Sequence, residues 1–220
     1  AETLNLYIGG CSLERHYRNF LGDLAAYDAI VNGKPSDRKI SIREALASEP
    51  YDVVTLQQAS YHSFRPDTYF PYISKLTEAV REACPGAKIY LHETWGYKEN
   101  SERLHNLGFS SHAEMYASVE TGYRKVYALI GADGWIPSGK AVSLLHEKEP
   151  NIELFRDDIH MSLAAGRFLL ALTWLETLFG ISSEKMKFSD FDGEWRESDR
   201  DSICCAAHAA CVWARPFQNI

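Results

Sequence analysis

The chain has no surplus of positive charge: 23 Lys and Arg stand against 30 Asp and Glu, a formal net charge of −7 over 220 residues. Phosphate backbones are held by clustered Lys and Arg, so nucleic acid is not an expected partner. Nor is there an apolar run approaching the roughly 20 residues that cross a bilayer, and the first residues carry no basic segment leading into a hydrophobic stretch, so no membrane partner is expected either. Internal repeats and low-complexity tracts are missing. The five cysteines, Cys11, Cys84, Cys204, Cys205 and Cys211, form an odd set with an adjacent pair, and fit neither a metal-ligand spacing nor a disulfide-rich framework. They read as buried small hydrophobes, with one late bridge left open. The chain starts at Ala1 and enters an apolar segment at once, which suits a mature exported protein (periplasmic or extracellular) as well as a trimmed chain.

What is present can bury one substantial core: 45% of the residues are hydrophobic, and residues 1–220 are expected to form a single domain. Residues 4–8 read as a short strand, after which Leu13, Tyr17, Phe20, Leu21, Leu24, Tyr27 and Val31 recur at three- and four-residue steps, predicting a helix through Val31. Further strands are expected at residues 39–42, 51–58, 87–95 and 134–139, and helices at 70–83, 112–130 and 163–179, the last with Ser162 as N-cap and Gly180 as stop. The apolar tail "ICCAAHAACVW" reads as a closing helix or strand. Strands that alternate with helices, several of them nearly continuous apolar runs, predict an α/β fold. The expected form is a three-layer α/β/α sandwich around a central, mostly parallel, flavodoxin-like sheet of about five strands.

Such sheets bind ligands outside the carboxyl ends of their strands. Four segments fall there: "GGCS", "QQAS", "HETW" and, before the last long helix, "RDDIHMS". Gly9 and Gly10 let the chain turn sharply, leaving Ser12 at the opening turn of a helix whose backbone N–H groups favour developing negative charge. Asp157 precedes His160 by three residues, a spacing that folds a carboxylate back onto one ring nitrogen and leaves the other for a nucleophile.

These residues resemble the SGNH, or GDSL-type, hydrolases. Gly10-Cys11-Ser12-Leu13 is similar to their G-D-S-L block, and Asp157 with His160 is similar to their late D-x-x-H block, an order running through residues 4–180. The likeness is to an uncharacterised bacterial branch with a G-N-S-F block and a Gln at the third strand, similar to sialate-esterase-like carbohydrate esterases. It implies a carboxylic ester hydrolase needing no cofactor or metal. Ser12 would attack, His160 held by Asp157 would act as base, and the substrate would be a small-molecule or glycan ester such as an O-acetylated carbohydrate. Two registers remain open, since aligning G-N-S-F instead makes Cys11 the nucleophile. No G-x-N-D block is present to supply an oxyanion-hole Asn, and Gln57 or Gln58 would take that role beside the Ser12 backbone N–H. Gly10 and Trp95 are expected at the substrate, Trp95 as a platform for a sugar ring or an acyl group.

Simpler roles stand beside each of these. Ser12 also suits a helix N-cap, Asp157 and His160 a loop ion pair, the two glutamines the end of a strand ladder, and Trp95 the core. His62, His105 and His112 read as loop or helix-surface residues. Asp190, Asp192 and Glu194 are too few for a calcium loop and read as a solvated acidic segment. A non-catalytic glycan- or ligand-binding domain is the alternative from another functional class.

Overall fold

The computed structural model describes residues 1–188 and 190–218. Strand β1 (Leu4–Tyr7) leads through the glycine turn into helix α1 (Leu13–Leu21). The Ser12 Oγ accepts the Arg15 N–H at 3.2 Å, and Glu14 in the first turn pairs with Arg18 one turn on. Both features favour a helix start.

The helix expected to reach Val31 ends ten residues earlier. Gly22 closes it and Asp23 follows at φ 47°, so Tyr27 and Val31 belong instead to strand β2 (Tyr27–Val31), which buries Tyr27 and Ala29 in alternation. Asn32 and Gly33 then take φ values of 49° and 78°, as a two-residue hairpin turn demands, and the chain returns as β3 (Lys34–Ile40). Strands β1, β2 and β3 form an antiparallel sheet in that order, with Leu4 opposite Val31 and Tyr7 opposite Asp28. All of β3 except Ile40 is exposed.

Helix α2 (Ile42–Ser48), capped by Ser41, leads to β4 (Val53–Leu56), α3 (Tyr72–Ala83), β5 (Lys88–His92), α4 (Glu102–Asn106), α5 (His112–Ile130) and β6 (Gly134–Ile136). Strands β4, β5 and β6 are parallel neighbours, with Val53 beside Lys88 and Tyr90 beside Gly134. Helical crossovers join them, as parallel pairing requires. Helices α6 (Ser138–Lys148), α7 (Ala165–Phe179) and α8 (Arg200–Ala214) complete the molecule.

The α/β class therefore holds, whereas the expected mostly parallel sheet of about five strands is corrected. The described residues form six strands in two three-stranded sheets, one antiparallel and one parallel. The cause is twofold: the early end of α1 at Gly22 lets β2 run back along β1, and the hairpin at Asn32–Gly33 folds β3 back along β2. The last long helix begins at Ala165, yet Ser162 still satisfies one of its free donors, its Oγ accepting the Gly166 N–H at 2.9 Å. The apolar tail is helical as α8.

Three apolar clusters form among the described residues, the smallest of them Ala29, Ile40 and Ala45 between the antiparallel sheet and α2. Leu13, Ile73, Leu91, Met115, Val119, Tyr123 and Trp135 join α1, α3 and α5 to the parallel strands, while Leu145, Phe168, Leu172, Ile203 and Ala207 join α6, α7 and α8. His112 is a further correction: it is 1% exposed, and its Nδ1 lies 3.0 Å from the Tyr97 carbonyl. All five cysteines are free, four of them buried and Cys205 exposed.

Candidate active site

At the end of β1 the backbone of Gly10 takes φ 60°, a left-handed value that a glycine adopts without strain, and the Tyr61 hydroxyl donates to its carbonyl at 3.0 Å. Cys11 and Ser12 follow with different surroundings. The Cys11 side chain is buried, and burial pushes its thiol pKa up against a smaller opposing pull from Arg15. Ser12 is half-buried and lines a cavity of about 310 Å³ with Glu14, His62, Asp67, Thr68, Phe70 and Tyr72.

Gln57 and Gln58 part company at the end of β4. Gln57 is exposed, while Gln58 is 1% exposed with its amide fully engaged. The Gln58 Oε1 accepts the backbone N–H of Leu13 at 3.0 Å and that of Ala59 at 2.9 Å. Its Nε2 donates to the carbonyl and hydroxyl oxygens of Thr68 at 3.1 and 3.2 Å. What Gln58 presents to the start of α1 is thus an acceptor. Its donors are directed at the loop that carries His62 and Thr68.

The D-x-x-H segment is a small hairpin. Phe155 and Met161 bridge antiparallel, the Arg156 N–H donates to the His160 carbonyl at 2.9 Å, and the Ser162 N–H donates to the Leu154 carbonyl at 2.8 Å. At its tip the Asp157 Oδ1 accepts the backbone N–H groups of Ile159 (2.9 Å) and His160 (2.7 Å), the two- and three-residue reach that Asp side chains favour in turns. The Asp157 Oδ2 lies 2.8 Å from the His160 Nδ1. Burial pushes the Asp157 carboxyl up, but the two backbone donors and the His160 ring outweigh it and hold the group well below the usual carboxylate range. The His160 side chain is 56% exposed, so its ring is open to a ligand. With Asp157, Asp158, Ile159 and Arg103 it lines a second cavity of about 320 Å³.

Loop-to-loop hydrogen bonds string these parts together. Tyr61 reaches Gly10, the neighbouring Ser60 Oγ lies 3.0 Å from the Tyr97 hydroxyl, and the Lys98 N–H donates to the Asp158 carbonyl at 2.9 Å. Half-buried Trp95 adds a fourth tie, its indole N–H donating to the Ile159 carbonyl at 2.8 Å while its ring packs on the α6–α8 cluster. Gly10, the loop after β4, the loop after β5 and the Asp157–His160 turn are therefore linked in series. Ser12 and His160 line different cavities, and among the described residues no hydrogen bond joins either Ser12 or Cys11 to His160.

Glu93 and Thr94 of the "HETW" segment are buried and line neither cavity. Burial pushes the Glu93 carboxyl up to about 8; it accepts the Lys140 N–H at 2.9 Å and the Tyr116 hydroxyl at 3.2 Å. Most of the cavity lining escaped sequence reasoning, including Arg103, His62, Phe70 and Tyr72. Arg103 sits in no motif, and His62 carries a ring but no spacing that pairs it with Ser12. Among the described residues no three His, Cys, Asp or Glu side chains are arranged to hold a metal ion, and no helix is long and apolar enough to cross a membrane.

Comparison with known proteins adds three observations. A family model described as a domain of unknown function (DUF4886) matches residues 3–210. A DUF4886 family protein from Bacteroides uniformis is 29% identical, with a TM-score of 0.88 over 100% of this chain and 85% of that one. A protein from Slackia heliotrinireducens, described as a candidate SGNH hydrolase, is 28% identical, with a TM-score of 0.52 over 62% of this chain and 70% of its own. No curated protein matches.

Proposed function

The chain belongs to the DUF4886 family, and from that membership and the geometry of its loops we propose that it is a serine acyl hydrolase of the SGNH type. The observation that carries this reading is the 2.8 Å contact between Asp157 and the Nδ1 of His160 on an exposed turn. A carboxylate at Nδ1 fixes the tautomer whose other nitrogen accepts a proton.

In this mechanism the Nε2 of His160 takes the proton of Ser12 as its Oγ bonds to an ester carbonyl carbon. The resulting tetrahedral oxyanion is held by the backbone N–H of Ser12 and the exposed amide of Gln57. Collapse breaks the bond to the leaving alcohol, which receives the proton from His160, and water attacks the acyl-enzyme with His160 again as base. Cys11 is a poorer nucleophile, because burial favours its protonated thiol over the thiolate. On the alcohol side, Arg103 and Asp158 beside His160 supply a donor fork and an acceptor, a combination suited to sugar hydroxyls, whereas Trp95 packs on the α6–α8 cluster and lines neither cavity.

The test is labelling by a fluorophosphonate together with turnover of p-nitrophenyl acetate. Labelling at Ser12 and its loss in Ser12→Ala and His160→Ala are expected. Iodoacetamide inactivation through Cys11 would transfer the nucleophile to the thiol. Silence in both assays would leave a binding domain.

A further inference from the structure

We propose that the cavity between the first turn of α1 and the loop of residues 62–72 is the acyl subsite, and that it takes acyl groups longer than acetyl. The inference rests on the acyl-hydrolase reading above and specifies its substrate. In acyl transfer the imidazole that deprotonates the nucleophile must next protonate the leaving alkoxide, so the alcohol half of an ester lies on the imidazole side. Here that side is the cavity of His160, Arg103 and Asp158. The acyl half is directed away from it. Ser12 lines a separate cavity of about 310 Å³, at the lower end of the roughly 300 to 1,000 Å³ typical of small-molecule sites.

The walls of this cavity define what fits. Phe70 and Tyr72 offer aromatic surface against which methylenes lose contact with water. His62 lines it as well, its Nδ1 buried with no hydrogen-bond partner among the described residues, so a polar group of a ligand would complete it. Burial, and after it the nearby Arg65, lowers the pKa of this imidazole and so favours the neutral ring, in which one nitrogen can accept a hydrogen bond. Asp67 stands at the mouth with its side chain 76% exposed.

The two walls are also held in register. Gln58 grips the Leu13 N–H on one side and Thr68 on the other, and the Thr68 hydroxyl donates to the Arg65 carbonyl at 2.7 Å, with the His62 carbonyl 3.2 Å away. The cavity is thus a built space between clamped segments. Phe70 and Tyr72 suit an acyl chain of four to six carbons, and His62 suits a hydroxyl at its far end.

The experiment measures kcat/KM for p-nitrophenyl acetate, butyrate, hexanoate and 6-hydroxyhexanoate with the wild-type chain, His62→Ala and Asp67→Trp. A methylene in an apolar pocket discriminates by about 10-fold or more. Butyrate is therefore expected to exceed acetate by at least about 10-fold, and Asp67→Trp, which closes the mouth, to bring that ratio back towards one. His62→Ala is expected to erase the advantage of the 6-hydroxy ester over plain hexanoate. A wild-type profile that is flat or falls from acetate to butyrate, or a ratio that Asp67→Trp leaves unmoved, overturns the proposal while fluorophosphonate labelling of Ser12 shows the hydrolase reading intact. Loss of both labelling and all ester turnover overturns that reading and the subsite with it.

Discussion

The carboxamide of Gln58 reaches across 45 residues of sequence to accept the backbone N–H of Leu13 at 3.0 Å. An N–H at the start of a helix has no partner within its own helix, so the first turn of α1 is anchored by a side chain from the end of β4.

Replacing Gln58 by Leu should therefore do more than remove a polar group. It leaves the buried Leu13 and Ala59 N–H groups without their acceptor and the half-buried Thr68 carbonyl without its donor, at about 1–3 kcal/mol for each group that water cannot reach. Urea denaturation should show a lower midpoint at unchanged slope. Gln58→Glu, which keeps the acceptor, should recover part of the loss.

Ser12 has two assignments that one substitution pair separates. As N-cap its hydroxyl accepts the Arg15 N–H, a contact whose loss to Ala costs about 1 kcal/mol. Ser12→Asn retains a capping oxygen without a nucleophile. Thermal unfolding should rank Ser12→Asn near the wild type and Ser12→Ala below it, with ester turnover lost in both.

Asp157 should leave its mark on acid stability and on rate. Its folded pKa is depressed, so its stabilising effect is complete above the unfolded value near 4 and disappears as pH falls through the folded value. The difference in Tm between wild type and Asp157→Asn should be constant from pH 5 to 8 and shrink below pH 4. At pH 7 the same substitution should lower kcat by about 10²- to 10⁴-fold, because the tautomer of His160 is no longer fixed.

Glu93 should act in the opposite sense. Its folded pKa of about 8 lies above the ordinary value of 4.5, so the folded state holds a proton that the unfolded state releases over that interval. Wild-type stability should decline as pH rises from about 5 to 8, and Glu93→Gln should flatten that slope. A variant whose Tm tracks the wild type across the interval would show that Glu93 is ionised when folded.

The parts of the molecule that were legible in the sequence have local causes. Residues 112–130 show a helical period bounded by Ser111 and Gly131, and α5 has those limits. The parallel strands stand out as apolar runs, and the Asp157–His160 contact is a short-range turn encoded within four residues. The antiparallel sheet was misread because Leu24, Tyr27 and Val31 happen to continue the helical steps of α1. The competing signal was the Asn32-Gly33 pair, a strong short-range mark of a hairpin, flanked by the alternation of β2 and β3. The division of the site into two cavities had no such signature. The loops that carry it are tied by Leu13 to Gln58, Gly10 to Tyr61 and Ser60 to Tyr97, contacts 37 to 51 residues apart in sequence, and nothing in their spacing announces them.

Strand β3 closes its sheet on one side only, so its outer rim offers backbone groups to any passing chain. That rim is written in Lys34, Pro35, Asp37, Arg38 and Lys39: the proline withholds a donor, and the charges resist being stripped of water. Lys39 is tied to Asp28 and Arg38 to Glu44, which keeps those charges in place beside the strand. The hairpin that displaced the expected helix thus arrives with its own guard against unwanted strand exchange between neighbouring molecules.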